Sequence, residues 1–178
     1  MIAVISDSHI PRRAEEIPGE FIEELEEAEL NVHCGDLVSE EVLEELEQHG
    51  ELFAVKGNCD ALDIPVSETF ERSGIEFGAY HGSGIQPRGH IPTLVETAEK
   101  LDAEVLLTGH THSQLAEKDS GKVLLNPGSC TGVSGGSYCG GNPEMMTLEV
   151  KEGALEVTLI ELVDGEKLTE TVELEVGE

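Results

Sequence analysis

The sequence predicts an α/β protein in which two β-sheets pack as a sandwich. Short apolar runs, typical of buried strands, alternate with amphipathic helical segments over residues 1–110. Strands then follow one another without an intervening helix over residues 122–176. The chain has 178 residues and shows neither an internal repeat nor a linker, so we expect one domain over residues 1–178.

The first part of the chain predicts five strands and three helices. Each helix has apolar residues on one face and mostly glutamates on the other. Pro18 and Gly19 begin the first helix, which extends to about Leu30, and Ser39 caps a second that ends near Gly50. The third covers residues 92–101. The strands are expected at residues 2–6, 30–34, 52–56, 75–80 and 104–108.

The second part predicts only strands and loops. Strands at residues 122–125 and 145–150 flank a Gly/Ser-rich loop over residues 127–143. Residues 155–163 and 167–176 are expected to form a hairpin that turns at Asp164-Gly165 and completes or extends a sheet. The loop is long for a single domain, which indicates that it lines a site or is mobile.

The charge of the chain is extreme, with 10 Lys and Arg against 38 Asp and Glu, a net charge of −28. Such a surface repels nucleic acid and anionic lipid, and at low salt it also repels itself. Molar salt shortens the Debye length to about 3 Å, so the composition favours a protein adapted to a halophilic cytoplasm. An acidic protein that binds a basic partner is the alternative, but the acids occupy regularly exposed helix positions.

The sequence favours a cytoplasmic protein without a membrane span. Its start has no basic region of the kind that opens a signal peptide, and no apolar run approaches the ~18 residues that a span requires. Four cysteines are present, but no CxxC pair, so free thiols are expected rather than a zinc knuckle or a redox motif. Cys130 and Cys139 lie in one loop, where they would pair only under oxidation.

Metal-ligand residue types follow five of the predicted strands. Side chains two residues apart in an extended segment point the same way, so Asp7 can act with His9, and His110 with His112. Strand ends in an open α/β sheet meet at one crevice, where these side chains are expected to converge. The segments are Asp7-Ser8-His9, Gly35-Asp36, Gly57-Asn58-Cys59-Asp60, His81-Gly82 and Gly109-His110-Thr111-His112.

Imidazole, carboxylate and amide ligands suit Mn, Fe, Zn, Ni or Co in a mixed N/O site. Seven candidates are too many for one ion that also holds a substrate, whereas two ions about 3.5–4 Å apart and bridged by one carboxylate fit better. Such a pair binds a phosphate oxygen and lowers the pKa of a bridging water. Each segment alone has a simpler explanation, such as a helix cap or a Gly-Asp turn, but the joint pattern favours the metal site.

The order of these segments resembles the calcineurin-like metallophosphoesterase superfamily. Gly57-Asn58-Cys59-Asp60 and Asn126-Pro127-Gly128-Ser129 resemble its short archaeal and bacterial phosphodiesterase branch. The resemblance covers about residues 1–150. It implies a four-layer αββα sandwich with two mixed β-sheets, and a dinuclear metal site at the strand ends.

The resemblance also implies a ligand set and a mechanism. The first metal would be held by Asp7, His9, Asp36 and His112, and the second by Asp36, Asn58, His81 and His110, with Asp36 as the bridge. The expected cofactors are two divalent ions, chiefly Mn²⁺, with Ni²⁺, Fe²⁺, Co²⁺ or Zn²⁺ as alternatives. A metal-bridging hydroxide would attack a small phosphoester substrate, with Asp36, Asn58 and His81 as the catalytic residues.

The chain departs from the wider superfamily at two places, of which the first favours diesters over monoesters and the second leaves the ligand set complete. Many of its phosphatases have a histidine after the asparagine, where this chain has Cys59. The segment that begins at His81-Gly82 also lacks the second histidine that often follows. Two other functions stay open: a metal-binding scaffold like the eukaryotic retromer subunit that resembles this fold, and a nuclease, which the net charge disfavours. Family members often pair, so a homo-oligomer is possible.

Four further residues carry weaker hypotheses. Asp60 either orients a ligand or water, or stabilises a turn. Arg12, Arg13 and Arg88 belong to a set of only four arginines, and each either binds substrate phosphate or forms a surface ion pair.

Overall fold

The computed structural model describes residues 1–134 and 141–177, which form eleven strands and three helices. The helices are α1 (Gly19–Glu27), α2 (Glu40–Glu47) and α3 (Ile91–Lys100). The strands are β1 (Ile2–Ile5), β2 (Leu30–His33), β3 (Leu52–Ala54), β4 (Ser67–Arg72), β5 (Ile75–Tyr80), β6 (Val105–Leu107), β7 (Gln114–Asp119), β8 (Lys122–Pro127), β9 (Glu144–Lys151), β10 (Ala154–Val163) and β11 (Glu166–Glu175). None of these helices is long and apolar enough to span a membrane.

The strands form two mixed sheets, as the resemblance implies. The first has the order β11-β10-β9-β1-β2-β3, in which β1, β2 and β3 are parallel and β9, β10 and β11 run antiparallel. The second has the order β4-β5-β6-β8-β7. Its three inner strands are parallel, and β4 and β7 join its edges in antiparallel pairs.

The sheets pack face to face, and the helices cover their outer faces. Side chains alternate along β1, so Val4 packs between the sheets with Phe77 of β5, whereas Ile5 packs under the helices with Phe21 of α1. On the far side, Leu94 of α3 packs against the second sheet. The predicted four-layer αββα sandwich is therefore confirmed.

The helices begin within one residue of the predicted positions, whereas α1 and α2 both end earlier than predicted, α2 at Glu47 rather than near Gly50. Ser39 caps α2, because its Oγ accepts a hydrogen bond from the Val42 amide at 3.4 Å. The first helix ends at Glu27 rather than near Leu30, because Ala28 has extended backbone and Leu30 already begins β2. The end of β2 is thereby aligned with β1 at the edge where the candidate ligands lie.

Two strands, β4 and β7, are absent from the sequence-based prediction. Both are edge strands, and of their residues only Phe70 is buried, so neither shows the apolar run of a buried strand. Pairing with β5 and β8 stabilises them, and turns at Gly74 and Gly121 join each pair.

The predicted C-terminal hairpin is present as β10 and β11, and it extends the first sheet. Its turn residues, Asp164 and Gly165, both have positive φ angles, 51° and 81°, which is the backbone that an Asp-Gly turn favours. Among the described residues, Cys34, Cys59 and Cys130 are free thiols. Cys139 lies outside the described residues, and so does any pairing with Cys130.

Candidate metal centre

Both sheets contribute to one site at the carboxyl ends of their central strands. Asp7 and His9 follow β1, and Asp36 follows β2. His81 follows β5 of the second sheet, and the pair His110 and His112 follows β6. Five of these six residues are buried, and His112 is half-buried.

The first cluster joins Asp7, His9 and His112. The Nε2 atom of His112 lies 3.1 Å from Oδ1 of Asp7 and 3.4 Å from Nε2 of His9. Nε2 of His9 lies 3.8 Å from Oδ1 of Asp7 and 3.6 Å from Oδ2 of Asp36. These four side chains, which the sequence assigns to the first metal, therefore direct their donor atoms at one small volume.

The second cluster shares both carboxylates. Nε2 of His81 lies 3.5 Å from Oδ2 of Asp36 and 4.0 Å from Oδ1 of Asp7. His110 lies beside it, with the two imidazole centroids 5.1 Å apart and nearly perpendicular. Asn58 is exposed, and its Nδ2 contacts the Cys59 thiol at 3.4 Å. The described contacts bring His81 and Asp36 together, but they do not bring the Asn58 amide to the carboxylates.

Backbone carbonyls orient two of the imidazoles. Nδ1 of His81 lies 2.6 Å from the carbonyl oxygen of Cys34, and Nδ1 of His112 contacts the carbonyl oxygen of Val133. A carbonyl oxygen only accepts, so Nδ1 carries the proton in both rings. Nε2 of each ring therefore faces a carboxylate, and the contact needs either a proton on Nε2 or a bound cation between the two groups. Histidines that ligate metals are commonly oriented in this way.

The carboxylate of Asp7 shows the same need for a cation. Its Oδ2 accepts hydrogen bonds from Ser6 Oγ at 2.6 Å and from the His110 amide at 2.9 Å. Its Oδ1 is buried and accepts no hydrogen bond from the described residues, and Nε2 of His81 is likewise without a partner there. Because an unsatisfied buried ionised group is strongly destabilising, these two atoms fit a divalent ion between them.

The second carboxylate, that of Asp36, is held by the loop after β3. Its Oδ1 accepts a hydrogen bond from the Cys59 amide at 2.7 Å, which leaves Oδ2 directed at His9 and His81. Asp60 holds the backbone on both sides, because its Oδ2 accepts from the amides of Asp36 at 2.9 Å and Gly57 at 2.8 Å. Of the two hypotheses for Asp60, the structure supports stabilisation of the turn.

The electrostatics of the cluster are those of a cation-binding site. Although burial alone would raise the pKa of Asp7, its contact with His112 and the charge of His81 lower it. Burial opposes protonation of His81, but its close contact with Asp36 and the charge of Asp7 raise its pKa. Burial lowers the pKa of both His9 and His110. As for His81, burial opposes protonation of His112 but its contact with Asp7 raises its pKa, so both carboxylates are ionised at neutral pH and His81 and His112 are the rings that offset their charge.

The backbone at the site is strained. The φ angle is 54° at Asp7, 49° at His9, 61° at Asp36, 68° at His110 and 57° at His112, all in the left-handed region. Each such residue costs about 1–2 kcal/mol relative to ordinary backbone. Strain of this kind collects at functional sites, where the surrounding structure over-determines the conformation.

Two glycines allow the loops to approach one another. A Cβ at Gly109 would lie 2.8 Å from Oδ2 of Asp7 and would collide with Ser6 Oγ. A Cβ at Gly57 would lie 2.8 Å from Cγ of Asp36. At both positions the sequence suggests a turn, but the structure shows that the glycine is needed for space beside a candidate ligand.

Several residues outside the predicted ligand set position the ligands. Ser129 Oγ donates to the Asp7 carbonyl at 2.8 Å, and Asn126 Nδ2 donates to the Gly109 carbonyl at 2.7 Å. Both belong to the Asn126-Pro127-Gly128-Ser129 motif, which fastens the β8–β9 loop to the site. His33 is buried, and burial lowers its pKa to about 3, so it is neutral. Its Nδ1 accepts from the Gly35 amide at 3.1 Å, next to Asp36.

Residues 1–153 match the calcineurin-like phosphoesterase superfamily domain. The chain belongs to this superfamily. It is 38% identical over 131 residues to a probable metallophosphoesterase from Methanocaldococcus jannaschii, a match that covers 74% of this chain and 68% of that protein. It is 41% identical over 134 residues to a probable metallophosphoesterase from Methanothermobacter thermautotrophicus, covering 74% and 77% of the two chains.

The fold also matches solved structures of Vps29. Wild-type Vps29 from Entamoeba histolytica complexed with Zn²⁺ superposes with a TM-score of 0.87 at 31% identity, covering 97% of this chain and 98% of that one. The phosphoesterase superfamily that the sequence resembles is therefore confirmed as the family of this chain, together with its sandwich fold.

Proposed function

We propose that this member of the calcineurin-like phosphoesterases is a two-metal hydrolase that acts on phosphodiesters. The observation that carries the proposal is the pair of buried Nε2 atoms, on His81 and His112, that lie 3.5 Å from Asp36 Oδ2 and 3.1 Å from Asp7 Oδ1. A divalent cation would take the place of the protons that the raised pKa values of His81 and His112 put between the imidazoles and the carboxylates.

The ligand assignment follows the two clusters. Asp7, His9, Asp36 and His112 would hold one ion, with His81, His110 and Asn58 joining Asp36 around the second. The fit is good for the six carboxylate and imidazole ligands, whereas the Asn58 side chain would turn from the Cys59 thiol to reach the ion. When bound, two such ions supply Lewis acids for a phosphoryl oxygen and lower the pKa of a bridging water.

The residues of the chain prepare this chemistry by position and charge. The Cys59 amide fixes one oxygen of Asp36, so the other is available as the bridge. The Cys34 and Val133 carbonyls hold the protons of His81 and His112 on Nδ1, so Nε2 is the nitrogen of each ring that would ligate a metal ion. These contacts fix the positions of the Asp36, His81 and His112 side chains.

Diester substrates are proposed because the site offers no strong acid beside the leaving group. Burial, and then the charge of Asp36, raise the pKa of Cys59 to about 11, so its thiol is neutral and a weak donor at neutral pH. A diester with a good leaving group needs no proton there, whereas an alkoxide does.

The decisive experiment combines metal analysis with a substrate panel. Purified protein in molar potassium chloride is loaded with Mn²⁺, and bound metal is counted by plasma mass spectrometry. Hydrolysis is then compared for bis(4-nitrophenyl) phosphate, 4-nitrophenyl phosphate and single-stranded DNA. We expect two ions per chain and the highest activity on the small diester. A nuclease would prefer the DNA, and two bound ions without activity on any of the three would contradict the proposal.

Replacement of the proposed bridging ligand tests the assignment itself. Asp36→Asn removes the negative charge shared by two dications, so we expect loss of one ion and at least about 2 kcal/mol of transition-state stabilisation. The matched control is Asp63→Asn, which changes an exposed aspartate elsewhere in the chain. An Asp36→Asn protein that keeps both ions and near-full diesterase activity would refute the assignment.

The scaffold is the second candidate, and it is favoured by the Vps29 likeness, which covers nearly the whole of both chains. A scaffold protein would bind metal ions without hydrolysing a phosphoester. The metal count and the diesterase assay separate the two functions, because only the hydrolase loses turnover when Asp36 is changed.

A further inference from the structure

Arginine is scarce in this chain, and its distribution is uneven. The sequence has four arginines against 38 acidic residues. Arg72 pairs with Glu51 at the end of β4, on an edge strand of the second sheet. The other three, Arg12, Arg13 and Arg88, lie in the two loops that follow His9 and His81, and are called here the arginine rim.

Arg13 is attached to the first cluster through its own hydrogen bonds. Its amide donates to the His9 carbonyl at 2.9 Å, and its Nη2 donates to the Ser134 carbonyl at 2.8 Å. Ser134 follows Val133, whose carbonyl holds the Nδ1 proton of His112. The guanidinium is therefore beside His112, and its charge opposes protonation of both His9 and His112.

Arg88 and Arg12 lie near other residues of the site. Arg88 precedes Gly89, which lies so close to Thr111 that a Cβ there would be 3.2 Å from its Cγ2. Thr111 separates His110 from His112, and the charge of Arg88 acts on the His110 imidazole. The positive charge of Arg12 favours ionisation of the Cys59 thiol. The backbone amide of Cys59 in turn donates a hydrogen bond to Asp36. All three arginines are exposed at the surface around the metal centre.

The charge of the rest of the molecule makes this placement informative. An anionic substrate approaches a chain of net charge −28, and long-range attraction is therefore unfavourable. Guanidinium groups form bidentate, charge-assisted hydrogen bonds with phosphate at about 2.7–2.9 Å, a direct contact that leaves no room for a screening ion between the partners. Arginine can therefore still recognise phosphate by direct contact at salt concentrations that screen the long-range repulsion from the acidic surface.

We propose that the arginine rim recognises a second, non-scissile phosphate, so that the preferred substrates are phosphodiesters that carry a further phosphate group. This inference rests on the proposed function, because the scissile phosphate occupies the metal centre. The ions neutralise the scissile group, and the rim supplies separate positive charge a few bonds away. Hydrolysis itself is unchanged: a water oxygen bonds to phosphorus, and the leaving group departs with the P–O bonding pair.

A matched pair of substrates isolates the second phosphate. The 4-nitrophenyl ester of thymidine 5′-phosphate and the same ester with an added 3′-phosphate release the same nitrophenolate, so they differ only in the remote group. We expect wild-type kcat/KM to be at least tenfold higher for the ester with the 3′-phosphate. Arg12→Gln, Arg13→Gln and Arg88→Gln should each reduce that ratio, by up to about tenfold for the loss of one charge-assisted hydrogen bond. Arg72→Gln is the matched control and should preserve it.

Binding supplies a readout that does not depend on turnover. Titration calorimetry compares thymidine 3′,5′-bisphosphate with thymidine 5′-phosphate at one fixed potassium chloride concentration. If the bisphosphate binds more tightly than the monophosphate and this advantage is reduced in the rim variants, the rim recognises the second phosphate. If neither ester is hydrolysed in that case, only the proposed hydrolase function fails. Equal affinities in wild type, or an equal effect of Arg72→Gln, would overturn the rim while leaving diesterase activity intact. Thermal midpoints of all variants exclude misfolding as the cause.

Discussion

Individual residues at the metal centre combine ligand chemistry with a strained backbone. Five of the seven predicted ligands have left-handed φ angles between 49° and 68°, and none is a glycine. Their side chains leave the strand ends at angles that extended backbone does not allow. The strain is opposed by contacts such as the hydrogen bond from the His110 amide to Asp7. The residue types were predictable, whereas this backbone geometry was not.

Cys59 is expected to limit the range of leaving groups. With its pKa raised to about 11, the thiol is a poor acid, so the wild-type rate should fall steeply as leaving-group pKa rises. Cys59→His places a group near pKa ~6.5 there, and should flatten this dependence and raise monoesterase relative to diesterase activity. The measurement is rate against leaving-group pKa, with metal content checked. Cys59→Ser is the control, and equal slopes in all three metallated proteins would exclude a role for position 59.

At the scale of elements, the site depends on loops that join different strands. The loops after β2 and β3 are held together by Asp60, which accepts hydrogen bonds from amides in both. The loop after β8 is held against the β1 loop by Ser129. These hydrogen bonds join loops that are distant in the sequence, so the residue pattern of a single segment does not predict which residues pair.

Removal of the Asp60 carboxylate should destabilise the protein and displace Asp36. Asp60→Ala leaves the amides of Asp36, Val38 and Gly57 without their acceptor, and we expect a loss of about 2 kcal/mol in the free energy of unfolding. Asp60→Asn should cost less, since one amide oxygen still accepts. Denaturant unfolding measures both, and the exposed Asp63→Ala is the control. A change for Asp60→Ala no larger than the control would show that the loops are held by other contacts.

The pairing of β9 with β10 places Glu144 opposite Glu161, and burial together with that neighbouring charge raises the pKa of Glu144 to about 7. An unfolded chain releases this proton near 4.5. Neutral Glu144 therefore favours the folded state below that pH, and its contribution is lost as pH rises through 7.

Glu144→Gln should remove this loss, so its thermal midpoint should exceed that of the wild type by a margin that grows between about pH 4.5 and 7. The exposed Glu170→Gln on β11 serves as the control, and all scans use one salt and metal concentration. A margin that is constant with pH would mean that Glu144 titrates at its ordinary pKa in the folded protein.

The whole molecule carries its acidic residues on the outer faces of helices and on the exposed hairpin. Phe21 and Leu25 are buried on the inner face of α1, while its glutamates lie mainly on the other side. On β11, Glu166, Glu170 and Glu173 are exposed. The core therefore has the apolar composition usual for a folded protein, and the acidic residues that produce the net charge of −28 lie mainly on the surface.

Stability should rise with salt well beyond the range in which a neutral surface responds. We expect the thermal midpoint to increase with potassium chloride above about 0.2 M, because further screening still reduces self-repulsion. Divalent metal is held constant, since its binding also stabilises the fold. Replacement of the exposed β11 glutamates by glutamine should reduce the salt dependence. A midpoint that does not change between low and molar salt would argue against halophilic adaptation. The cytoplasmic location stays a prediction.

The amino-acid sequence by itself determined the α/β class with two packed sheets and the identity of the candidate ligands, because both follow from local patterns, whereas the four-layer order was implied by the family resemblance. Apolar periodicity marks β1, α1 and β2, and ligand types recur directly after strands. The tertiary structure alone decided what depends on distant partners: the edge strands β4 and β7, the carbonyls of Cys34 and Val133 that orient the imidazoles, and the placement of the arginine rim. Such features arise when the two sheets pack, so no single segment encodes them.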